Sequence, residues 1–309
     1  MEEHVPVLYD EVLKFLNINP DGIYVDGTIG RGGHAKGIIH KLQEGKGKLI
    51  GIDKDKEAIN YCKNNLPSEK LSLYHGSFTK LPEIISLEKI DYVSGILFDL
   101  GVSSPQLDNA DRGFSYSHDS FLDMRMNQEQ ELTAADIINN SSHQELERII
   151  KEYGEEKWAS RIADFIVKRR KKEKINSSKQ LVNLIKDAIP ASARRKGGHP
   201  ARRTFQALRI ATNKELEELQ EILKLVPDLL RKQGRVCVIS FHSLEDRIVK
   251  NKFKEHAKEC ICPPDFPICS CNKTKKLKIL TKNLVKPDKE EKNENPRARS
   301  AKLRAAEKV

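Results

Sequence analysis

The 309-residue sequence is poor in several features, and each scarcity removes a class. No apolar run approaches the length of a membrane-spanning helix, and mean hydropathy is −0.59, so no helical membrane protein is expected. The first residues, Met1-Glu2-Glu3-His4, are acidic and carry no apolar core of a signal peptide, which points to the cytoplasm. Only six cysteines are present. In a reducing compartment they are thiols or metal ligands, not a disulfide framework. No internal repeat is visible. Acid is missing altogether from Ala188 to Lys214, although the whole chain carries 45 acidic against 55 basic residues. The net charge of +10 favours a polyanionic partner.

Glycine is what the sequence concentrates. Ile23 to Val25 suit a buried strand, Asp26 ends it, and Gly27, Gly30, Gly32 and Gly33 follow. Such a loop lets the backbone take positive φ and approach a ligand closely. A helical run, Ala35 to Leu42, comes next, so the loop lies at a strand-to-helix turn, where α/β sheets bind nucleotides. A second strand, Lys48 to Ile52, ends in Asp53. An acid about 20 positions beyond such glycines is placed to accept hydrogen bonds from ribose hydroxyls. Loop and acid together fit an adenosine cofactor, NAD or S-adenosylmethionine alike. The order Gly-x-x-Gly-x-Gly-Gly, with an Asp directly before it and no pyrophosphate-cradling helix start, leans toward the second. An NAD-dependent oxidoreductase and a non-catalytic RNA-binding factor on the same fold stand as the other readings.

The sheet continues with Leu71 to His75, closed by Gly76, Ser77 and Phe78, and with Asp91 to Leu100. Phe78 could stack on an adenine or simply fill the core. The last run is largely apolar, Tyr92-Val-Ser-Gly-Ile-Leu-Phe98, as suits a central strand buried on both faces, and brings Asp99 to the crevice of Asp26 and Asp53. Amphipathic spacing predicts helices over Val5 to Leu16 and Lys54 to Leu66. From Gln106 the strand pattern stops. Capping signatures open helices at Ser142 and at Ser177 with Gln180, Trp158 to Ile166 mark another, and a long helix is expected from Lys214 to Leu225. Strand character returns at Arg235 to Phe241, followed by a helix from Ser243 to Phe253 that Ser243 and Asp246 would start. Leu277 to Leu280 and Ala301 to Ala305 read as a closing antiparallel pair, and the charged stretch Lys286 to Asn295 as a mobile loop. The expected architecture is one α/β, Rossmann-like doubly wound domain, from residues 1–105 and 214–309, interrupted by an all-helical domain at 106–213.

Arg194, Arg195, Lys196, Arg202, Arg203, Arg209 and Lys214 fill the acid-free stretch, and Lys168 to Lys174 form a second basic cluster. Runs of this kind neutralise nucleic-acid phosphates, though a solvated face has the same composition. Cys260, Cys262, Cys269 and Cys271 could hold zinc as four thiolates. Their Cys-x-Cys gaps are tighter than the usual ligand spacing, so reduced loop thiols and no metal are the expectation. His242 and Ser243 lack the flanking glycines of a hydrolase nucleophile turn.

Several longer blocks are distinctive together: Asp26-Gly-Thr-Ile-Gly-Arg-Gly-Gly-His34, Asp99-Leu-Gly-Val-Ser-Ser-Pro-Gln106, Leu122-Asp-Met-Arg-Met126, Ser240-Phe-His-Ser-Leu-Glu-Asp-Arg247 and Asn295-Pro-Arg-Ala-Arg-Ser300. Through them, almost from end to end, the chain resembles the MraW (RsmH) family of bacterial 16S rRNA cytosine-N4 methyltransferases. The resemblance implies a class I methyltransferase sheet and S-adenosyl-L-methionine as cofactor. It implies an inserted domain that recognises RNA, and a cytidine in the decoding region of 16S rRNA, within the small ribosomal subunit, as target. It carries cofactor contacts onto Gly32, Gly33, His34, Asp53, Phe78, Asp99 and Gln106. Asp99 is the first candidate for a catalytic carboxylate near the target amino group, with Ser103 and Ser104 next; a role confined to holding the cofactor is the rival. The Asp-Pro-Pro-Tyr type of motif used by other amino-methyltransferases is absent, and Asp99-Leu-Gly-Val-Ser-Ser-Pro stands in its place.

Overall fold

A computed structural model describes residues 6–66, 68–195, 198–260, 262, 270–271 and 273–309. The chain divides into two compact units, Met1–Gly101 with Leu216–Val309, and Val102–Glu215.

The first unit is built on seven strands: β1 (Ile23–Asp26), β2 (Lys48–Asp53), β3 (Leu71–His75), β4 (Val93–Asp99), β5 (Leu230–Ser240), β6 (Leu277–Ile279) and β7 (Lys302–Lys308). Their order is β3-β2-β1-β4-β5-β7-β6. The first five are parallel; β7 runs antiparallel to β5, and β6 antiparallel to β7. This is the sheet of a class I methyltransferase. β4 is buried from Val93 to Phe98, as its largely apolar sequence leads one to expect, with Ser94 its one buried hydroxyl. From β1 the chain winds outward to β2 and β3, then returns to lay β4 on the other side of β1. That reversal opens a crevice at the carboxyl ends of β1, β2 and β4, where open α/β sheets bind ligands.

The helices of the first segment are α1 (Tyr9–Leu16), α2 (Gly33–Leu42), α3 (Lys56–Asn65) and α4 (Leu81–Leu87). Leu8, Val12 and Leu16 form the buried stripe expected for α1, which begins at Tyr9. Val5 lies outside the described residues. Helix α3 starts two residues later than predicted, because the Asp55 carboxylate accepts the Glu57 amide at 3.0 Å and so caps it.

The second unit is helical: α5 (Ser104–Asp108), α6 (Ala134–Asn140), α7 (His143–Glu152), α8 (Ala159–Arg170), α9 (Ser178–Ala188), α10 (Ala191–Arg194) and α11 (Arg202–Asn213). Its core gathers Ile138, Ile150, Ile162, Ile166, Ile185 and Leu208. The capping signatures hold: Ser142 accepts the Glu145 amide at 3.1 Å, and Ser177 and Gln180 bond each other's backbone amides. Local pattern alone did not single out α6 and α11. In α11, Thr204, Phe205, Ala207, Leu208 and Ile210 are buried, so packing supports a helix whose Thr and Asn content favours it little. Asn213 ends α11 with its side chain inside. Its amide nitrogen donates to the carbonyls of Met124 (2.7 Å) and Arg209 (2.8 Å), and its oxygen accepts from the Met126 amide (2.7 Å).

On the chain's return, α12 (Glu215–Leu229) reaches beyond Leu225 and carries Pro227 in its last turn. Strand β5 begins at Leu230, earlier than the expected Arg235. Its ladder with β4 jumps from Val93↔Leu230 to Gly95↔Arg235, so Arg231 to Gly234 bulge out of the pairing. Helix α13 (Ser243–Ala257) is capped by His242, not by Ser243 or Asp246: His242 and Glu245 form a reciprocal box, while Asp246 accepts from Arg304 at 2.6 Å. The stretch expected to be a mobile loop contains a helix, α14 (Lys289–Glu294). Asp288 caps it by accepting the Glu291 amide at 2.8 Å, and Glu291 takes the Leu8 amide at 2.7 Å. Among the described residues, no helix is long and apolar enough to cross a membrane.

The Asn213 anchor generates a prediction. Asn213→Ala removes three side-chain hydrogen bonds to backbone groups and should lower the stability of the helical unit by about 2–4 kcal/mol. Trp158, the chain's single tryptophan, lies in that unit and reports its urea unfolding by fluorescence. An unchanged midpoint would show that the anchor carries no weight.

A candidate cofactor site at three strand ends

Asp26, Asp53 and Asp99 end β1, β2 and β4, three strands adjacent in the sheet. The backbone of the glycine loop is hung on them. Asp53 Oδ2 accepts the Gly30 amide at 2.8 Å, and Oδ1 accepts the Asp55 amide at 2.8 Å. Asp26 Oδ1 accepts the Thr28 amide at 3.2 Å, and the Asp99 amide donates to Thr28 Oγ1 at 2.6 Å. Gly30 (φ 54°) and Gly32 (φ 75°) take left-handed conformations that a side chain disfavours. At Gly30 a Cβ would touch only the Thr28 carbonyl oxygen, at 3.9 Å, which leaves room on this face of the loop; at Gly32 it would run into Leu66.

Burial at one crevice raises the affinity of all three carboxylates for protons. Burial pushes Asp53 up to about 6, against the pull of its two amide donors. Burial, with the charge of Asp53 added, pushes Asp26 up to about 7. Asp99 is raised well above the usual carboxylate range, first by burial, then by Asp26 and Glu245. The Asp99 side chain is 26 % exposed, yet its Oδ1 is enclosed and has no hydrogen-bond partner among the described residues. An orphaned buried oxygen calls for a donor.

His34 sits beside it. Its Nε2 lies 3.0 Å from the Val7 carbonyl, which only accepts, so the proton is on Nε2. Burial lowers the ring's pKa to about 4, so His34 is neutral at pH 7. Its Nδ1 lone pair then lies 3.8 Å from Asp99 Oδ2, no ion pair but a place toward which a proton on Asp99 is drawn.

The expected residues divide. Gly32, Gly33, His34, Asp53 and Asp99 are brought together at the crevice of the first unit. Phe78 follows β3 in a short 3-10 turn; it is 8 % exposed and its ring packs on Phe98 at 5.1 Å. Gln106 belongs to the helical unit, where its Oε1 accepts the Ser103 amide at 3.0 Å and caps α5. Ser103 and Ser104 lie in the same turn. Asp26 and Thr28 complete the site although neither was among the expected contacts. The signal for Asp26 was its place directly before Gly27; Thr28 has none beyond the loop itself.

This donor set fits an adenosyl amino acid. Ionised carboxylates accept from ribose hydroxyls and from an ammonium group, and the negative crevice complements a sulfonium charge.

In the helical unit, the basic stretch is partly neutralised. Arg209 forms a bidentate pair with Glu215 at 2.7 and 2.8 Å, and Arg170 donates to the Ile138 and Ser141 carbonyls. Arg194, Arg195, Arg202 and Arg203 are exposed, with no ion pair among the described residues. Lys196 lies outside those residues. His199 stacks on Tyr116 at 4.4 Å.

Comparison with known proteins finds relatives along the whole chain. A ribosomal RNA small subunit methyltransferase H of Halothermothrix orenii is 57 % identical over 310 aligned residues, covering 100 % of this chain and 99 % of that protein. The protein of the same name from Caldicellulosiruptor saccharolyticus is 53 % identical and covered completely on both sides. Among solved structures, an rRNA methylase from Streptococcus thermophilus aligns over 97 % of this chain and 93 % of its own, with 10 % identity and a TM-score of 0.42. The MraW methylase family model matches residues 1–309. Matched from end to end, the chain belongs to the MraW methylase family: a methyltransferase on a class I sheet, with S-adenosyl-L-methionine as its methyl donor.

Proposed function

We propose that the chain methylates N4 of a cytidine in the decoding region of 16S rRNA, within the small ribosomal subunit in the cytoplasm. Asp99 carries the chemical part of this reading: a carboxylate at the end of the central strand, proton-hungry, with an enclosed oxygen that lacks a donor. The rRNA part draws on the names of the full-length relatives.

S-adenosyl-L-methionine, when bound, supplies an electrophilic methyl on a cationic sulfur. The residues do the rest by binding, orienting and moving protons. Asp53 accepts the ribose hydroxyls. Gly30, Gly32 and Gly33 let the backbone come close, and Phe78 borders the adenine side. Gln106 is assigned to the methionine side. A cation in the crevice favours the ionised forms of Asp26 and Asp99. Cytosine N4 is a weak nucleophile because its lone pair is delocalised into the ring. Ionised Asp99 accepts an amino hydrogen, localises that lone pair, and takes the proton released when the new N–C bond forms. His34 Nδ1 faces the oxygen that receives it. The base reaches the crevice unstacked from its neighbours.

The basic surfaces suit a phosphate backbone. Arg194, Arg195, Arg202 and Arg203 cluster in the helical unit. In the other unit, Lys286, Lys292, Arg299 and Lys302 line a cleft at the start of α13.

Asp99→Asn separates catalysis from cofactor binding. The expected outcome is a kcat about 10²–10⁴-fold lower, with affinity for S-adenosylhomocysteine nearly unchanged. Retained turnover with lost affinity would make Asp99 a cofactor ligand only.

The substrate is tested on small subunits from a strain lacking the gene. After incubation with protein and S-adenosylmethionine, mass spectrometry of nuclease fragments should find one new N4-methylcytidine, in the decoding region. Methylation at another atom or region contradicts the proposal. In the same system, Arg202→Ala with Arg203→Ala should weaken subunit binding and flatten its salt dependence by about two counterions.

A further inference from the structure

We propose that Cys260, Cys262 and Cys271 are ligands of a structural zinc ion. The site lies in the connection between α13 and β6, and the proposal is independent of the methyl-transfer reading. It reverses the expectation of metal-free loop thiols.

The three sulfurs lie within 4.8 Å of one another, at the surface. Cys260 Sγ and Cys271 Sγ are 3.7 Å apart. Two ligands at about 2.3 Å from a tetrahedral zinc lie roughly 3.8 Å apart, the edge of the tetrahedron. A disulfide would bring the sulfurs to about 2.0 Å. The backbone is folded to serve thiolates. The Cys262 amide donates to Cys260 Sγ at 3.3 Å, and the Ser270 amide to Cys262 Sγ at 3.5 Å. Amide donors to sulfur are what steady a metal-bound thiolate and fix its direction.

The tight Cys-x-Cys gap counted against zinc in the sequence. The fold removes that objection, because Cys271 joins Cys260 and Cys262 at one point although it lies nine residues further along the chain than Cys262. Residues 260 and 262 sit just after α13, and 271 sits just before β6. The base of the connection is tied by the Lys276 amide, which donates to the His256 carbonyl at 2.9 Å. Cys269, which the sequence pairs with Cys271, lies outside the described residues. Cys62 and Cys237 are buried elsewhere, where burial pushes the Cys62 thiol up to about 12 and makes it inert.

The test uses the full chain without a histidine tag, produced in zinc-containing medium. Elemental analysis should find one zinc per chain. Cys260→Ser with Cys271→Ser should reduce it to below about a tenth of an equivalent. As a second measurement, wild-type protein stripped of metal and given cobalt(II) should develop the visible bands of a tetrahedral cobalt thiolate, and the double variant should not. A wild-type protein free of zinc and without cobalt bands overturns the proposal. So does iron in place of zinc, or full zinc retained by the double variant.

Discussion

Negative charge confined at the carboxyl ends of β1, β2 and β4 is the constraint on which the active region depends. Parallel strands carry their ends to one edge, and the reversal between β1 and β4 keeps helices away from the gap. Asp26, Asp53 and Asp99 therefore share a poorly solvated crevice, where burial raises the proton affinity of all three; the charge of Asp53 adds to it at Asp26, and that of Asp26 at Asp99. The glycine loop depends on the same carboxylates, since Gly30 and Thr28 are held by Asp53 and Asp26. A cationic ligand with hydroxyl donors relieves the repulsion and fills the orphaned acceptor together. The same groups thus shape the loop and, in the proposed function, select the ligand.

Much of this was legible in the sequence. The apolar run ending in Asp99 and the β-branched strands before Asp26 and Asp53 define their own places, because buried parallel strands admit little else. The closing antiparallel pair was legible too, as the stretches Leu277 to Leu280 and Ala301 to Ala305. Less local features were not. Helix α11 depends on burial of Phe205 and Leu208 more than on propensity. Helix α14 depends on Asp288 capping it and on Glu291 meeting Leu8, far away in the chain. Arg209 looked unpaired because the acid-free stretch stops at Lys214, one residue before Glu215, its partner. The Gln106 assignment came through family likeness alone; its visible task is to cap its own helix.

Charge is handled differently in the two units. In the first, carboxylates gather where water is scarce, and the repulsion is kept for a ligand to relieve. In the helical unit, arginines without partners stay exposed, while Arg209 and Arg170 are absorbed into pairing and carbonyl contacts. A crevice that prefers a small cation and a surface that prefers phosphate suit an enzyme joining a sulfonium cofactor to a nucleic acid.

The most direct test of the crevice is the pH dependence of S-adenosylhomocysteine binding by titration calorimetry. Asp53 binds its proton up to about pH 6 and Asp26 up to about pH 7 in the free protein, and ligand donors favour the ionised forms. Binding must then release protons, so affinity should rise from pH 5 to pH 7.5, and Asp53→Asn should weaken it about 10–100-fold at the upper end. Affinity that is flat or falls over this range, with Asp53→Asn binding as well as wild type, would contradict the account.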